Sequence, residues 1–487
     1  MEQTNRRQFL NRTLGGGAGL LGGSLASGQE RLRAGRRHPN IIFILCDDLG
    51  YADLSCYGQE KFRTPNIDRL AAEGLRFTEG YSGCTVCAPS RSVLMTGYHM
   101  GHTSVRSNPG GVPILPEDVT VAEVLKTAGY ATGMFGKWGL GDIATTGVPW
   151  KHGFDEFFGY LHQVHAHFYY AEFLYKNAQE YPLAGNRNKQ RSTYSHDAIA
   201  QQALNFIGRH KDGSFFCYMP FTIPHWELLV PEDSLAEYRG KFPEPPLFVD
   251  SKGHYAAQEY PHAAYAAMIT RMDRDVGRVM ALLKELKIDD NTIVFFTSDN
   301  GPALPIKGDD FFRSKGPLRG HKQNFYEGGI RVPSIVRWPG RVPAGASSDH
   351  PWYFADFMPT AAELAGAKTP SGLDGISIVP ALLGDKAAGR PQPKHEFMYW
   401  ELPRYDAKRG EFLKEIPMQA VRMGDWKVVR PKPNGPLELY NLKQDIAETK
   451  DVAAANPKVM AKIEEYLKTA RVEPRPQREP QHDWWTR

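Results

Sequence analysis

The sequence predicts an α/β fold: a large mixed, mostly parallel sheet sandwiched by helices, followed by a small C-terminal α+β domain that contains an antiparallel sheet. Two observations lead to this prediction. In residues 38–384, apolar runs of strand length alternate with stretches of helical periodicity, the pattern of a sheet covered by helices on both faces. Beyond a linker rich in Gly, Pro and charge at residues 384–395, short strand patterns follow each other directly, which assigns residues 395–487 to the small domain.

Two apolar runs in the large domain, residues 41–45 and 293–296, predict strands buried on both faces. Each run leads into a pair of polar residues, and in open parallel sheets ligands bind beyond the carboxyl ends of the strands. Asp and Asn also favour turns, so either pair taken alone could simply end its strand. Three carboxylates and one amide, without imidazole or thiolate, suit Ca²⁺ or Mg²⁺ better than zinc. The candidate cation ligands are Asp47, Asp48, Asp299 and Asn300.

Signals at helix ends place the helices between these strands. Residues 65–73 predict a helix with Thr64 as its cap, and a capping box of Thr120 and Glu123 begins another. The longest candidate, residues 262–286, has apolar residues on one face at helical spacing. This spacing predicts packing against the core rather than a cofactor site.

The small domain shows three short strand patterns, at residues 418–421, 426–430 and 437–440. A helix near residues 457–469 follows them. The proline-rich segment after residue 472 is expected to be irregular.

A Cys-x-Pro-Ser-Arg sequence begins at Cys87. Taken alone, Pro89 could lie in the first turn of a helix and leave Ser90 and Arg91 solvated. Cys84 and Cys87 also form a Cys-x-x-Cys pair, which is compatible with redox or zinc chemistry, but no second pair stands at zinc-ribbon spacing.

The same five residues resemble the modification signature of the type I sulfatases, which belong to the alkaline-phosphatase-like superfamily. The resemblance implies that a modification enzyme oxidises Cys87 to Cα-formylglycine, whose hydrate carries two hydroxyls on one carbon. One hydroxyl would attack the sulfur of a sulfate ester and release the alcohol. The second would then collapse to the aldehyde and expel sulfate, so no stable enzyme ester remains.

Three further segments resemble motifs of that family, and the matches together span roughly residues 40–445. Gly-Lys-Trp at residues 136–138 and a Pro-His pair ending at His225 each follow a predicted strand. Lys322 stands five residues before Glu-Gly-Gly-Ile-Arg at residues 327–331. The resemblance implies the alkaline-phosphatase-like fold and hydrolysis of sulfuric esters by residues 38–384 as the catalytic domain.

The resemblance also implies a role for each matching residue. The modified Cys87 would be the nucleophile and a ligand of the cation, while Arg91 and Lys137 would orient the hydrate. Lys322 and His225 would contact the ester oxygens, and His225 would protonate the departing alkoxide. The cation, Ca²⁺ or Mg²⁺, would polarise the sulfate. The candidate catalytic residues are therefore Cys87, Arg91, Lys137, His225 and Lys322, and the metal ligands are Asp47, Asp48, Cys87, Asp299 and Asn300.

One position departs from the family pattern. Many members carry a histidine two residues after the lysine, where it contacts the formylglycine hydroxyl, and here that residue is Gly139. Either another side chain takes over or the proton moves differently. The histidines considered as replacements are His99, His102, His152, His165 and His167.

A histidine-rich stretch includes His162, His165 and His167, next to the aromatic residues 168–170. Such a cluster can bind a transition metal. The preferred interpretation is a loop that lines the substrate entrance, because aromatic rings there would stack on a sugar or an aryl group.

The first 28 residues resemble a twin-arginine export signal. Arg6 and Arg7 precede a Gly-rich, mildly apolar stretch at residues 14–26, and this stretch is too short to span a bilayer, which needs about 20 apolar residues. We expect a signal peptide at residues 1–28, recognition by the twin-arginine export machinery, and a periplasmic or extracellular protein. Because no cysteine precedes Cys46, no stable membrane anchor is expected.

Composition restricts the partners. The formal net charge is +4 and no basic run has interleaved aromatic residues, so a nucleic-acid partner is not expected. A sulfated carbohydrate or an aryl sulfate is the expected substrate. Two alternatives remain: a phosphoester or phosphonate monoester hydrolase on the same fold, and a non-catalytic carbohydrate-binding descendant in which Cys87 stays a plain thiol.

Overall fold

The computed structural model describes residues 38–250, 253–304, 309–406 and 409–475. The predicted export signal at residues 1–28 and the end of the chain after residue 475 lie outside the described residues. Within the described ranges, no helix is both long and apolar enough to cross a membrane.

Short β-strands occur from one end of the described chain to the other. They are β1 (Asn40–Cys46), β2 (Leu75–Phe77), β3 (Gly80–Tyr81), β4 (Ala131–Lys137), β5 (Glu156–Tyr160), β6 (Phe173–Lys176), β7 (Gln179–Pro182), β8 (Phe215–Pro220), β9 (Thr292–Ser298), β10 (Ser334–Arg337), β11 (Ala346–Ser348), β12 (Trp352–Tyr353), β13 (Met398–Leu402), β14 (Tyr405–Asp406), β15 (Glu411–Phe412), β16 (Met418–Met423), β17 (Trp426–Arg430) and β18 (Glu438–Asn441).

Among the described residues, the main sheet has ten strands in the order β11-β2-β10-β9-β1-β8-β4-β5-β6-β7. Its five central strands, from β9 to β5, run parallel. On either side, β10 and the β6–β7 pair run antiparallel to their neighbours. The predicted mixed, mostly parallel sheet is confirmed.

Helices connect the strands and cover the sheet. The α-helices of the described chain are Pro65–Ala72, Cys87–Thr96, Val121–Thr127, Ser195–Arg209, Glu232–Leu235, Pro261–Glu285, Glu327–Ile330, Phe357–Ala365, Val379–Leu383, Asp385–Ala388 and Pro457–Leu467.

The central strand β1 shows that both faces of the main sheet are buried. All seven of its residues are buried, and successive side chains of a strand point to opposite faces. Ile41 and Phe43 belong to one large apolar cluster, whereas Ile42 and Ile44 belong to a second. The sheet therefore lies between two cores, as the continuous apolar run predicts.

The helix Pro65–Ala72 is capped differently from the prediction. The Thr64 side chain makes no capping hydrogen bond to a described residue. Instead, Oδ1 of Asp273, in the long helix, accepts the backbone N–H groups of Asn66 and Ile67 at 3.0 and 2.8 Å. Thr64 does occupy the N-cap position, as predicted, but a carboxylate from a distant part of the chain satisfies the free donors in place of its hydroxyl.

Other predicted helices agree closely with the structure. The capping box is present: the Thr120 hydroxyl accepts the Glu123 N–H at 3.3 Å, and the Glu123 carboxylate accepts the Thr120 N–H at 2.8 Å. The long helix spans Pro261–Glu285, one residue earlier at each end than predicted from its apolar spacing.

The C-terminal domain contains an antiparallel sheet in the order β13-β16-β17-β18. It has its own small apolar cluster, to which Tyr399, Val421 and Ile463 belong. The three predicted strands and the following helix are confirmed, and β13 is an additional strand. The sequence pattern does not predict β13 because Glu401, a charged residue, interrupts its short apolar run.

Candidate active site

The two predicted pairs of oxygen ligands meet at the carboxyl edge of the main sheet. Strands β1 and β9 are parallel neighbours in register, with Cys46 opposite Ser298. The residues that follow these strands therefore lie side by side. The backbone N–H of Asp48 donates to Oδ1 of Asp299 at 3.2 Å, and Nδ2 of Asn300 donates to Oδ1 of Asp48 at 2.7 Å.

Cys87 is the first residue of the buried helix Cys87–Thr96. Ser90 and Arg91 are buried with it, at 0% and 1% exposure, so the interpretation of a helix with these two residues solvated is wrong. The Ser90 hydroxyl donates to the backbone oxygen of Asp299 at 2.5 Å. Arg91 donates to Oδ2 of Asp299 at 2.7 Å and to the backbone oxygen of Lys137 at 2.6 Å. The motif thus fixes the start of the helix against the end of β9.

Asp47 lies between Cys87 and Lys137. Its Oδ1 is 3.2 Å from Sγ of Cys87, and its Oδ2 is 2.6 Å from Nζ of Lys137. Burial alone would raise the pKa of Asp47, but the charges of Lys137, Arg91 and Lys322 together hold that pKa well below its ordinary value. Asp47 is therefore an ionised carboxylate beside residue 87.

Lys322 and His225 lie on the other side of Cys87. Nζ of Lys322 is 2.7 Å from Oδ1 of Asp48 and 3.5 Å from Sγ of Cys87. Although burial opposes the charged form, the Asp48 carboxylate raises the pKa of Lys322 well above its ordinary value. Nε2 of His225 is 3.5 Å from Oδ2 of Asp48. Burial and the charge of Lys322 hold the pKa of His225 well below its ordinary value.

Two carboxylates at this edge, Asp47 and Asp48, offer the oxygen ligands that a hard divalent cation prefers. Their ligand atoms lie within 4.8 Å of one another and of ligand atoms of Cys87 and His225. This cluster differs from the predicted oxygen-only set, because it includes a thiol and an imidazole. Oδ1 of Asn300 is buried and has no hydrogen-bond partner among the described residues, as expected of an oxygen that faces a cation. Burial, followed by the charge of Asp47, raises the pKa of Asp299 to about 7 against the opposing effect of Arg91. A bound cation stabilises such crowded carboxylates in their ionised form.

A cavity of about 450 Å³ opens onto this group of residues. Its wall includes Asp48, His225 and Lys322 from the predicted site. It also includes residues that the sequence analysis did not select, because they lie on loops without a recognisable spacing. These are Asn108, Trp226, Tyr255, Ala303, Leu304, His321 and Gln323.

Of the histidine-rich stretch, only His167 reaches the cavity wall. Its ring stacks on His225 at a centroid distance of 4.5 Å, and its Nδ1 is 2.8 Å from Nε2 of His254. His162 and His165 are buried and do not line the described cavity. One residue of the stretch thus lies in the cavity wall, whereas none of the neighbouring aromatic residues does: Tyr169 is buried, and Phe168 and Tyr170 are half-buried.

The other histidines considered in place of the residue at position 139 lie elsewhere. His99 and His102 stack on each other and pair with Asp374, with His102 at 2.9 Å from its carboxylate. The Nε2 atom of His152 lies 3.2 Å from the backbone oxygen of Thr146. Among the five candidates, His167 is the one that the described structure brings to the cavity.

Gly139 itself contacts a residue that the sequence analysis missed. Its φ is +77°, and a Cβ atom built on it would lie 2.0 Å from Nε2 of Gln163. The side chain of Gln163 therefore occupies the space beside position 139. The sequence contains no motif at Gln163, and the absence of a side chain at Gly139 is the only signal of this contact.

Cys84 and Cys87 face different groups. Sγ of Cys84 lies 3.7 Å from the backbone oxygen of Glu401, whereas Sγ of Cys87 faces Asp47. Cys46 and Cys217 are buried in β1 and β8, as predicted.

The mixed sheet between two helical layers, with an acidic cluster at its carboxyl edge, defines a hydrolase of the alkaline-phosphatase-like superfamily. A model of the Sulfatase family matches residues 39–367, and a model of the C-terminal part of N-sulphoglucosamine sulphohydrolase matches residues 320–474. The chain belongs to the sulfatase family, whose enzymes hydrolyse sulfate esters.

Individual relatives extend over most of the chain. N-acetylgalactosamine-6-sulfatase of Canis lupus familiaris is 34% identical over 384 residues, which cover 72% of this chain and 67% of the relative. A sulfatase of Formosa agariphila is 31% identical over 511 residues, covering 90% and 88%. The crystal structure of Ps i-CgsB in complex with k-i-k-neocarrahexaose has a TM-score of 0.74 and 30% identity, covering 91% of this chain and 95% of that one.

Proposed function

We propose that this enzyme cleaves a sulfate monoester of a sulfated carbohydrate through a formylglycine hydrate at position 87, with a divalent cation in the site. The observation that carries the proposal is the position of Cys87. Its Sγ lies at the start of a buried helix, 3.2 Å from Asp47 and 3.5 Å from Lys322. Residue 87 thus lies beside a carboxylate that can bind a metal ion, Asp47, and an ammonium group that can bind sulfate, Lys322.

The environment of Cys87 supports its modification. A thiol reacts as its thiolate, and burial together with the charge of Asp47 raises the pKa of the Cys87 thiol well above its ordinary value. An unmodified Cys87 is therefore a poor nucleophile in this protein. A separate modification enzyme, using an external two-electron oxidant such as dioxygen, would convert the CH₂SH group to the aldehyde: the carbon loses one hydrogen and its bond to sulfur and gains a carbonyl oxygen.

The cation ligands would be Asp47, Asp48, Asp299 and Asn300, together with the modified residue 87. Their carboxylate and amide oxygens match the ligands that Ca²⁺ and Mg²⁺ prefer. When bound, the cation supplies Lewis-acid polarisation of the sulfate oxygens and lowers the pKa of the attacking hydroxyl. Lys137 and Arg91 would hold Asp47 and Asp299 in place and limit the build-up of negative charge.

The proposed reaction has two chemical steps and a rehydration. One hydroxyl of the hydrate attacks sulfur and loses its proton, the S–O bond to the substrate breaks, and the alcohol leaves with a proton. The second hydroxyl then loses its proton, its C–O bond becomes the carbonyl, and the bond from carbon to the sulfate oxygen breaks to release sulfate. Water adds to the aldehyde and restores the hydrate.

His225 and Lys322 would act on the ester. Lys322 is charged and lies beside residue 87, so it would bind sulfate oxygens as negative charge develops. The low pKa of His225 depends on burial and on the nearby Lys322 charge. A bound sulfate anion opposes the effect of Lys322 and favours the protonated imidazole, which would then protonate the departing alkoxide.

The cavity supports a carbohydrate substrate. It combines aromatic walls, Trp226 and Tyr255, with polar groups such as Asn108 and Gln323. Sugars are bound by this combination of ring faces and hydrogen bonds. The names of the N-acetylgalactosamine-6-sulfatase relative and of the neocarrahexaose complex support the same class. An aryl sulfate would also fit the aromatic wall.

Export is proposed on the sequence of residues 1–28 alone. The twin-arginine machinery carries folded proteins, so Cys87 would be modified in the cytoplasm before transport to the periplasm or beyond. Replacement of Arg6 and Arg7 by Lys should leave the enzyme in the cytoplasmic fraction. An unchanged distribution of sulfatase activity between cell fractions would contradict the export proposal.

The test of the proposed function compares substrates that share a leaving group. The purified enzyme should hydrolyse nitrophenyl sulfate much faster than nitrophenyl phosphate or its diesters, and a panel of defined sulfated saccharides should identify the natural bond. Cys87→Ala should abolish turnover, whereas Cys84→Ala should retain it. Equal or faster hydrolysis of the phosphate esters would contradict the proposal.

A further inference from the structure

Gln163 is a buried amide without a partner. Its residue is 3% exposed, and neither its Nε2 nor its Oε1 has a hydrogen-bond partner among the described residues. A buried amide left unpaired destabilises a protein. Such a group therefore calls for an explanation, and a catalytic role is one.

The amide lies against the segment that carries Lys137. A Cβ on Gly139 would be 2.0 Å from its Nε2, so the amide rests directly on that glycine. Two backbone hydrogen bonds join the segments: Trp138 N–H to Tyr160 O and Gly139 N–H to Leu161 O, both at 2.9 Å. The position of Gln163 is thereby coupled to the end of β4.

The same loop also packs against the segment above Cys87. A Cβ on Gly111 would lie 2.8 Å from the ring of His162, the residue before Gln163. In that segment, Oδ1 of Asn108 accepts the backbone N–H of Ala88 at 3.0 Å. Gln163 is therefore held between the segment that follows Lys137 and the segment that covers the start of the Cys87 helix.

We infer that the side-chain amide of Gln163 hydrogen-bonds an oxygen of the formylglycine hydrate at position 87. The inference rests on the proposed function. An amide suits this role because its NH₂ donates to a sulfate or hydroxyl oxygen while its carbonyl accepts from a hydroxyl, and neither ability depends on pH. Gln163 orients the hydrate and does not itself transfer a proton.

Replacement of Gln163 tests the contact. Gln163→Leu should lower kcat by about 10-fold to 100-fold, the effect of losing one or two hydrogen bonds made in the transition state, with a smaller change in KM. Gln59→Leu is the matched control, because Gln59 is also 3% exposed but donates to the backbone oxygens of Ala52 and Phe312 at 3.3 and 3.1 Å. The control should lose stability and keep the kcat of the wild-type enzyme.

The variant Gln163→Glu distinguishes a hydrogen bond between Gln163 and the hydrate from a purely structural role of Gln163. A protonated carboxyl donates and accepts as the amide does, whereas a carboxylate cannot donate and repels sulfate. The variant should approach wild-type activity at acid pH and lose activity, relative to wild type, as the pH rises through the pKa of the new carboxyl group. Its unfolding free energy is measured at both pH values so that a loss of folding is recognised.

Gly139→Ala supplies an independent test, because its methyl group must displace the Gln163 amide. It should lower kcat more in the wild-type background than in a Gln163→Ala background, where the backbone strain of alanine at φ +77° remains but the clash with the amide does not. Mass spectrometry confirms formylglycine in each variant. Wild-type kcat in fully folded, modified Gln163→Leu enzyme would overturn the Gln163 inference alone. Absence of formylglycine or of sulfatase activity in the wild-type enzyme would overturn the proposed function and this inference together.

Discussion

The ammonium group of Lys137 lies 2.6 Å from Oδ2 of Asp47, and both side chains are excluded from solvent. Lys137 is the last residue of β4 and Asp47 directly follows β1, and these two strands are separated in the sheet by β8. Their ion pair therefore spans the carboxyl edge of the sheet. The other oxygen of Asp47 faces Sγ of Cys87. The ion pair therefore fixes the Asp47 carboxylate next to residue 87.

Lys137→Met should reduce both stability and activity. It leaves the Asp47 carboxylate buried without its principal counter-charge, which costs about 3–5 kcal/mol in unfolding free energy. Turnover should fall about 100-fold or more because the nucleophile loses a fixed charge nearby. Urea unfolding and kcat/KM measure the two effects.

Lys126→Met is the matched control for that variant. Lys126 lies 2.6 Å from Asp155, but both side chains are more than two-fifths exposed. An exposed pair contributes about 0–1 kcal/mol. If Lys137→Met changed unfolding free energy and kcat/KM as little as Lys126→Met, the ion pair of Lys137 and Asp47 would contribute to neither stability nor catalysis.

His225→Ala should affect substrates according to their leaving group. A sugar alkoxide needs a proton to depart, so kcat on a sulfated saccharide should fall about 100-fold to 10,000-fold. Nitrophenolate leaves without protonation, so the loss on nitrophenyl sulfate should be much smaller. His152→Gln, at a buried histidine elsewhere in the domain, should change neither rate. Equal losses on both substrates would contradict the role of His225 as a proton donor.

Removal of the cation should abolish activity and lower stability. Chelation should stop turnover, and addition of either Ca²⁺ or Mg²⁺ should restore it. The added cation should also raise Tm, because a ligand at 100 times its Kd increases the unfolding free energy by about 2.7 kcal/mol. Asn300→Ala should weaken this response because Oδ1 of Asn300 has no protein partner among the described residues. Asn186→Ala, at a buried asparagine that bonds the backbone, is the control. Full activity in chelator would contradict the cation site.

Much of this site follows from the sequence because parallel strands deliver their following residues to one edge. Asp47 and Asp299 could be placed together from two apolar runs alone. The resemblance of short motifs to the sulfatase family then supplied Cys87, Lys137 and Lys322.

The remaining residues depend on tertiary packing. Tyr255 and Gln163 lie on loops whose sequences have no helical or strand periodicity. Only the structure shows that Tyr255 lines the cavity and that Gln163 contacts Gly139. Thr64 is the N-cap residue of its helix, yet the carboxylate of Asp273, in the long helix, accepts the hydrogen bonds expected for the Thr64 hydroxyl. Glu401 interrupts an apolar run in the sequence, but Arg106 and Arg471 neutralise it inside the protein, at 3.2 and 2.7 Å.

The C-terminal sheet is joined to the helix Glu327–Ile330 by a buried ion-pair network. Nζ of Lys427, in β17, lies 2.7 Å from Glu327 and 2.9 Å from Glu448, and all three side chains are fully buried. Lys427→Met should cost about 3–5 kcal/mol, because two carboxylates lose their shared cation. Activity should fall as well, since Glu327 begins the helix that follows Lys322.

Lys462→Met is the comparison for the network variant. Lys462 pairs with Glu396 at 3.0 Å, and both side chains are more than half exposed. Urea unfolding of the two variants should therefore differ by several kcal/mol. A Lys427→Met enzyme with unchanged unfolding and activity would show that the network does not hold the C-terminal sheet and this helix together.

His395 predicts a pH-dependent contribution to stability. Its Nε2 lies 2.8 Å from Asp356, and although burial opposes protonation, the charge of Asp356 and, more weakly, Asp374 raise the pKa of His395 above its ordinary value. The stabilisation is fully present below the unfolded-state pKa, about 6.5, and is lost as the pH rises through the folded-state pKa. The difference in unfolding free energy between wild type and His395→Gln should therefore be larger at pH 5.5 than at pH 8.5. A difference that is independent of pH would show that folding leaves the pKa of His395 unchanged, and a smaller difference at pH 5.5 would show that folding lowers it. His350 and Tyr353 also face this pair and remain unchanged in both proteins.

The most direct test is mass spectrometry of the tryptic peptide spanning residues 77–91 from enzyme made in its native host. The peptide contains both Cys84 and Cys87, so Cys84 serves as an internal control. We expect residue 87 to have lost one sulfur and two hydrogens and gained one oxygen, with Cys84 unchanged. An active enzyme whose residue 87 retains its sulfur would contradict the formylglycine mechanism.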